Sequence, residues 1–128
     1  MSQVIVMGHG GYAKGVYENL KMIVGTADHM HFIDLQPNED LADFQAKFDG
    51  LLSGMQEEEI LFACDLMGAS PFRLAAMYSA EHADQAVTVS GLNAMAFMEL
   101  CMDNGQPVLE LANRAIETTK QSVGKFPD

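Results

Sequence analysis

The chain has no tryptophan, two cysteines, four prolines and seven basic residues. Two cysteines are too few for the disulfide framework of a small secreted domain. Cys64 and Cys101 each sit in an apolar run, which predicts buried, reduced thiols and a cytosolic setting. Eighteen acids against seven bases leave a net charge of −11. A surface of that sign repels phosphate backbones and anionic lipid, so neither nucleic acid nor a membrane surface is expected as a partner. The same field would steer a basic protein toward the chain. No stretch approaches the ~18 apolar residues of a membrane-spanning helix. The start, Met1-Ser2-Gln3, carries no basic segment, and the apolar run 4–7 is too short for a signal peptide, so a cytoplasmic location is expected. There is no internal repeat and no low-complexity tract.

The remaining composition is globular. With 128 residues, 48% hydrophobic and 20% charged, one domain over 1–128 is expected. A chain of this size buries about two-thirds of the surface its unfolded form exposes. The runs 4–7, 31–35, 60–64 and 86–90 are apolar or β-branched and read as strands, the first and third as strands buried on both faces. Between them, Val16, Leu20, Ile23 and Val24 recur at helical spacing until Gly25. Pro37 and Asn38 open a second helix with Leu41, Phe44, Phe48, Leu51 and Leu52 on one face. Ser70 as N-cap and Pro71 in the first helical position start a third helix that runs to about Ala83. Two more helices are read over 92–102 and 108–123. The order β-α-β-α-β-α-β-α-α predicts an α/β fold with a doubly wound, mainly parallel sheet and helices on both faces. The ligand site of such a sheet lies at the carboxyl ends of its strands, near a topological switch point.

That rule directs attention to the loops after strands one and three. The first is Gly8-His9-Gly10-Gly11, where glycines let a bulky group approach the backbone. On its own His9 also reads as an incidental histidine in a tight turn. The second loop begins at Asp65 and runs into Ser70. If strands one and three are neighbours, Asp65 reaches His9, accepts one ring N–H and raises the basicity of the other nitrogen. On its own Asp65 also reads as an acid that orders its loop. A helix starting at Ser70 would stabilise negative charge beside them, and the three features together are more specific than any one.

Other candidates are weaker. Gly8-x-Gly10-x-x-x-x-Gly15 loosely resembles a nucleotide-binding turn, with Asp34 as the ribose-binding acid, but it lacks the Lys-Ser/Thr of a P-loop. His29 and His31 read as solvated loop residues rather than metal ligands, and no metal site is expected. His82 reads as a solvent-facing residue near a helix end, and the acidic run 57–59 as a solvated loop. The ten methionines read as core fillers, Met95, Met98 and Met102 at helical spacing.

Two segments together carry a family resemblance. Val6-Met7-Gly8-His9-Gly10-Gly11-Tyr12-Ala13 and Asp65-Leu66-Met67-Gly68-Ala69-Ser70-Pro71-Phe72 resemble the IIA component of the mannose-family sugar phosphotransferase system, and Val89-Ser90-Gly91-Leu92-Asn93 is similar to the family's turn after strand four. The Gly-His-Gly-Gly form looks like the amino-sugar and uronate branches. The resemblance implies a phosphoryl carrier, a protein-histidine phosphotransferase without a cofactor. His9 would take the group from phospho-HPr and pass it to a separate IIB component serving membrane IIC and IID components, which would make the chain peripheral to the transporter. Asp65 would support His9; Met67, Gly68, Ala69 and Ser70 would meet the phosphoryl group; Gly10, Pro37, Met67 and Phe72 would contact the partner. A homodimer is implied, and the Leu- and Met-rich fourth helix is expected to carry more apolar surface than one sheet face would cover. Competing readings are a regulatory module of the same fold controlled by histidine phosphorylation, or a flavodoxin-like nucleotide-binding domain.

Overall fold

The structure, a computed structural model, describes residues 2–127. Four strands, β1 (Ser2–His9), β2 (Met30–Leu35), β3 (Glu59–Cys64) and β4 (Ala86–Ser90), form one sheet in the order β2-β1-β3-β4, with every pairing parallel. Five helices connect or follow them: α1 (Tyr12–Ile23), α2 (Leu41–Leu52), α3 (Ser70–Glu81), α4 (Ala94–Met102) and α5 (Val108–Ser122). The expected element order and doubly wound architecture are therefore present.

Alternation along the central strands builds two cores. Val4, Val6, Leu61 and Ala63 face α1, α4 and α5, while Ile5, Met7, Ile60, Phe62 and Cys64 face α2 and α3. Both faces of β1 and β3 are sealed, which is why these strands read as unbroken apolar runs. Cys64 and Cys101 are buried free thiols, as expected. Burial first, then the negative charge of Asp65, pushes the Cys64 thiol up to about 12, so it has no reactive thiolate near neutral pH. Among the described residues no helix is long and apolar enough to cross a membrane.

Several boundaries and side chains differ from the sequence reading, each for a physical reason. The first strand extends to His9, because His9 still pairs with Leu35 of β2. α2 starts at Leu41, not at Pro37-Asn38. The Gln36 N–H donates to Glu39 Oε1 at 3.0 Å and the Glu39 N–H returns to the Gln36 carbonyl at 3.1 Å, closing a turn ahead of the helix. α3 has Ala69, not Ser70, as its N-cap: Ala69 is extended (ψ 173°) and Ser70 is already helical. Met22, Met67, Met77, Met95 and Met102 are 49–90% exposed, so only some of the methionines fill the core. On α4, Ala96, Phe97, Leu100 and Cys101 are buried, and α5 and α1 pack against that helix. Most of its apolar face is thus covered within the chain.

The histidines away from β1 are not simply solvated. The His29 Nε2–H donates to the Leu100 carbonyl (2.7 Å), and His82 stacks on Tyr78 with 4.0 Å between ring centroids. His31 lies within β2, its Nε2–H donating to Gln3 Oε1 (2.8 Å), while Gln3 Nε2 donates to Glu58 (3.0 Å). Burial, followed by neighbouring His29, pulls the His31 ring below the usual imidazole range, with Glu58 opposing. The folded state then binds that proton less well than the unfolded chain does. Stability is complete above the unfolded value of about 6.5 and falls as pH drops through it. The melting temperature should drop between about pH 7.5 and about pH 5.5 more steeply in the native protein than in His31→Gln; equal drops would contradict this account.

Candidate functional site

The sheet order determines where a site can form. From β1 the chain moves outward through α1 to β2, then crosses to β3 on the other side of β1. Connections leave the carboxyl ends of β1 and β3 in opposite directions, the geometry that opens a crevice there. His9 is the last residue of β1, and Asp65 follows the last residue of β3. The Asp65 N–H donates to the Met7 carbonyl at 3.1 Å, so the pairing of the two strands continues up to the site.

Asp65 binds the histidine twice. Its Oδ2 accepts from His9 Nδ1 at 2.7 Å and from the His9 main-chain N–H at 3.0 Å, and its Oδ1 accepts from the Leu66 N–H at 2.8 Å. An ionised carboxylate only accepts, so Nδ1 carries the hydrogen and the neutral ring leaves a lone pair on Nε2. The Asp65 side chain is 13% exposed and the His9 side chain 42%. The carboxylate is therefore held beneath the surface while the imidazole stands in solvent. The contact is a charge-assisted hydrogen bond from the ring to a carboxylate, and it fixes the ring's orientation.

The loop around His9 is held from both sides. Gly10 takes a left-handed φ of +63° and donates its N–H to the Leu35 carbonyl at 2.8 Å, while Gln36 Nε2 donates to the Gly10 carbonyl at 3.4 Å. Gly8 is covered by Tyr12: a Cβ built on Gly8 would lie 2.5 Å from the ring and 2.7 Å from Tyr12 Cβ. Burial, then the charges of Asp65, Cys64 and Asp34, push the Tyr12 phenol up to about 12, so it stays neutral over Gly8.

Beyond Asp65 the chain turns at Gly68 (φ +83°) and enters α3. The amino termini of the other helices already meet side-chain acceptors or acids. Asp34 accepts from the Ala13 and Lys14 N–H groups of α1. Asp40 and Asp43 stand at the start of α2, Asn93 caps α4, and Glu59 accepts from the first N–H of α5. α3 has no capping side chain and no acid in its first turn. Its positive end, beside the histidine, is the one left open to an anion.

Of the residues singled out from sequence, His9 and Asp65 meet directly, and Met67, Gly68, Ala69 and Ser70 form the strip leading into α3. Pro37 is exposed in the turn after β2, and Phe72 packs in part against the α2–α3 core. Leu66, which sequence reasoning passed over, is 61% exposed beside Met67 at 77%. Asn93 clamps α4 to the end of α5 through Ser122 Oγ (2.7 Å). Asp34 does not suit a ribose: its carboxylate is buried and committed to α1, where a dinucleotide pyrophosphate would bind. Among the described residues no group of three metal-ligating side chains converges. A groove of about 650 Å³ runs along β2, lined by Lys14, Tyr17, Phe32 and Lys47 among others, and neither His9 nor Asp65 lines it. The histidine is a surface group.

A family model described as EIIA-man, PTS system fructose IIA component, matches residues 3–122. The chain is 30% identical over 102 residues to the PTS system fructose-specific EIIA component of Bacillus subtilis, covering 78% of this chain and 68% of that protein. It is 28% identical to the PTS system mannose-specific EIIAB component of Escherichia coli, covering 96% of this chain; the chain spans 39% of that protein's length. The mannose/sorbose-specific IIA subunit from Enterococcus faecalis superposes with a TM-score of 0.89 at 25% identity, covering 99% of this chain and 96% of that one.

The contact between Gly8 and Tyr12 is open to test. Gly8→Ala should cost about 1–3 kcal/mol by overpacking, since turning the Tyr12 ring does not move its Cβ. Thermal unfolding reads this directly, and a native melting temperature would show that the loop yields.

Proposed function

This chain belongs to the EIIA-man family of phosphotransferase-system IIA components, and on that premise we propose that it is a phosphoryl carrier for sugar uptake in which His9 Nε2 is the acceptor. The observation that carries the proposal is the 2.7 Å contact of His9 Nδ1 with Asp65 on a ring that is 42% exposed. It leaves the opposite nitrogen unprotonated and facing outward, where a donor protein can align with it.

The donor is phospho-HPr. The Nε2 lone pair attacks phosphorus in line, the bond from phosphorus to the donor breaks, and its electron pair leaves with the donor. The ring becomes a cation, and Asp65 stabilises it through the Nδ1–H. Main-chain N–H groups of 67–70 and the Ser70 hydroxyl meet the phosphoryl oxygens at the open end of α3. The reverse displacement delivers the group to a IIB component, which serves membrane IIC and IID components. Such a reaction needs positioning and electrostatics rather than a substrate pocket or a nucleotide site. A surface histidine with Leu66 and Met67 exposed beside it fits a protein donor. The working form is a homodimer.

Three outcomes are expected. Incubation with phospho-HPr followed by mass mapping should find acid-labile phosphate on His9 and none on His9→Ala. Asp65→Ala should remain folded and accept the group more slowly, because the imidazole is kept but loses its orienting partner. Label on His29, His31 or His82, with His9→Ala still accepting, would overturn the assignment. Transfer should also slow as salt rises, because a net charge of −11 draws in a basic donor through a field screened within about 8 Å at physiological ionic strength. Rates indifferent to salt would refute the steering.

A further inference from the structure

We propose that Asp34 is a positioning residue for phosphoryl transfer: its buried carboxylate, fixed on β2, pins the loop that carries His9 and occupies the amino terminus of α1, so that the group is received at α3. The inference rests on the carrier role of His9 and assigns a second carboxylate to that site.

Asp34 is 6% exposed. Burying a charge is costly unless hydrogen bonds replace its water. Here Oδ1 accepts from the Ala13 N–H at 2.8 Å and Oδ2 from the Lys14 N–H at 3.1 Å. Lys47, the nearby cation, donates to the Asp34 main-chain carbonyl (3.1 Å) and pairs with Glu39 (3.0 Å), not with the carboxylate. Those two N–H bonds do the work of an N-cap. Yet an N-cap could sit on α1's own leading residue: that residue is Gly11, and a Cβ there would meet nothing within 4 Å. A local serine or asparagine would satisfy the helix just as well. It would not tie the helix to the sheet.

The remote cap does so next to the histidine. In the β1–β2 register Asp34 stands opposite Gly8, and Leu35 opposite His9. β2 therefore grips the loop at Gly10 through the Leu35 carbonyl and at Ala13 and Lys14 through Asp34, while β3 grips His9 through Asp65. The end of β1 is thus held from β2 by Asp34 and from the end of β3 by Asp65. Charge adds a second effect. A helix amino terminus carries about half a positive charge, and both α1 and α3 begin beside His9. With Asp34 seated on α1, its full negative charge outweighs that half charge, and the α1 terminus repels a dianion. The phosphoryl oxygens are left to α3, on the side of Ser70.

The test is Asp34→Asn, which keeps the shape but offers one acceptor and turns an NH2 toward the other N–H. With phospho-HPr as donor, kcat for labelling should fall about tenfold with KM unchanged, since displacing a reacting group by a fraction of an ångström is enough to do this. A core variant on the opposite face of the sheet, Phe48→Leu, chosen for comparable destabilisation, should keep native kcat. Asp34→Glu, which retains the charge and shifts the bonds by one methylene, provides a second measurement should the amide variant not fold; a kcat loss of about threefold or more with KM unchanged supports the proposal. Native labelling at His9 with native kcat in the Asp34 variants would overturn this proposal alone. An equal loss in Phe48→Leu would likewise overturn it, since the effect would then be one of stability. A native chain that takes no label on His9 would overturn the carrier reading and this proposal with it.

Discussion

The structure turns on one carboxylate, Asp65, receiving a ring hydrogen and a main-chain hydrogen from a residue 56 positions away. That contact needs β1 and β3 side by side and parallel, with His9 and Asp65 at the same end. Every larger feature supplies one of these conditions. The apolar runs of β1 and β3 put both strands in the middle of the sheet, where helices seal each face. The switch in winding direction between them keeps connecting helices off the space above the pair. The tautomer of His9 follows, because a carboxylate on Nδ1 leaves the lone pair on Nε2.

The electrostatic design is one of subtraction. All four helices that follow a strand begin at the carboxyl end of the sheet, and each brings a positive pole. Asp34, the acids at the start of α2 and Asn93 occupy three of them. α3 begins with Ala69, Ser70 and Pro71, without an acid or a capping side chain. A chain with eighteen acids has kept them out of the one helix start that follows the supporting carboxylate.

Much of this was legible along the chain. The order of strands and helices, the burial of β1 and β3, and the interest of His9, Asp65 and Ser70 followed from hydrophobic period, turn residues and the switch-point rule. The misreadings share a cause. Ser70 looked like a cap because Ser-Pro commonly is one, but cap status depends on the backbone angles of Ala69. Exposed methionines looked like core because their type is apolar, while exposure is set by which face the neighbouring helices cover. Asp34 offered only a weak ribose-ligand reading in the sequence, and nothing local showed that its partners lie twenty and twenty-one residues back, on α1. A glycine at the head of α1 was the available signal that its cap comes from elsewhere.

By itself the sequence determined the elements and the residue types offered at each strand end, because helical and strand periods are local properties of the chain. It also determined the sign of the surface. The tertiary structure decided which carboxylate serves which group: Asp65 the imidazole, Asp34 the start of α1. It decided, too, that α3 alone keeps an open amino terminus beside the histidine. Such assignments depend on strand order and register, which bring distant residues to within 3 Å, and no local period encodes that choice.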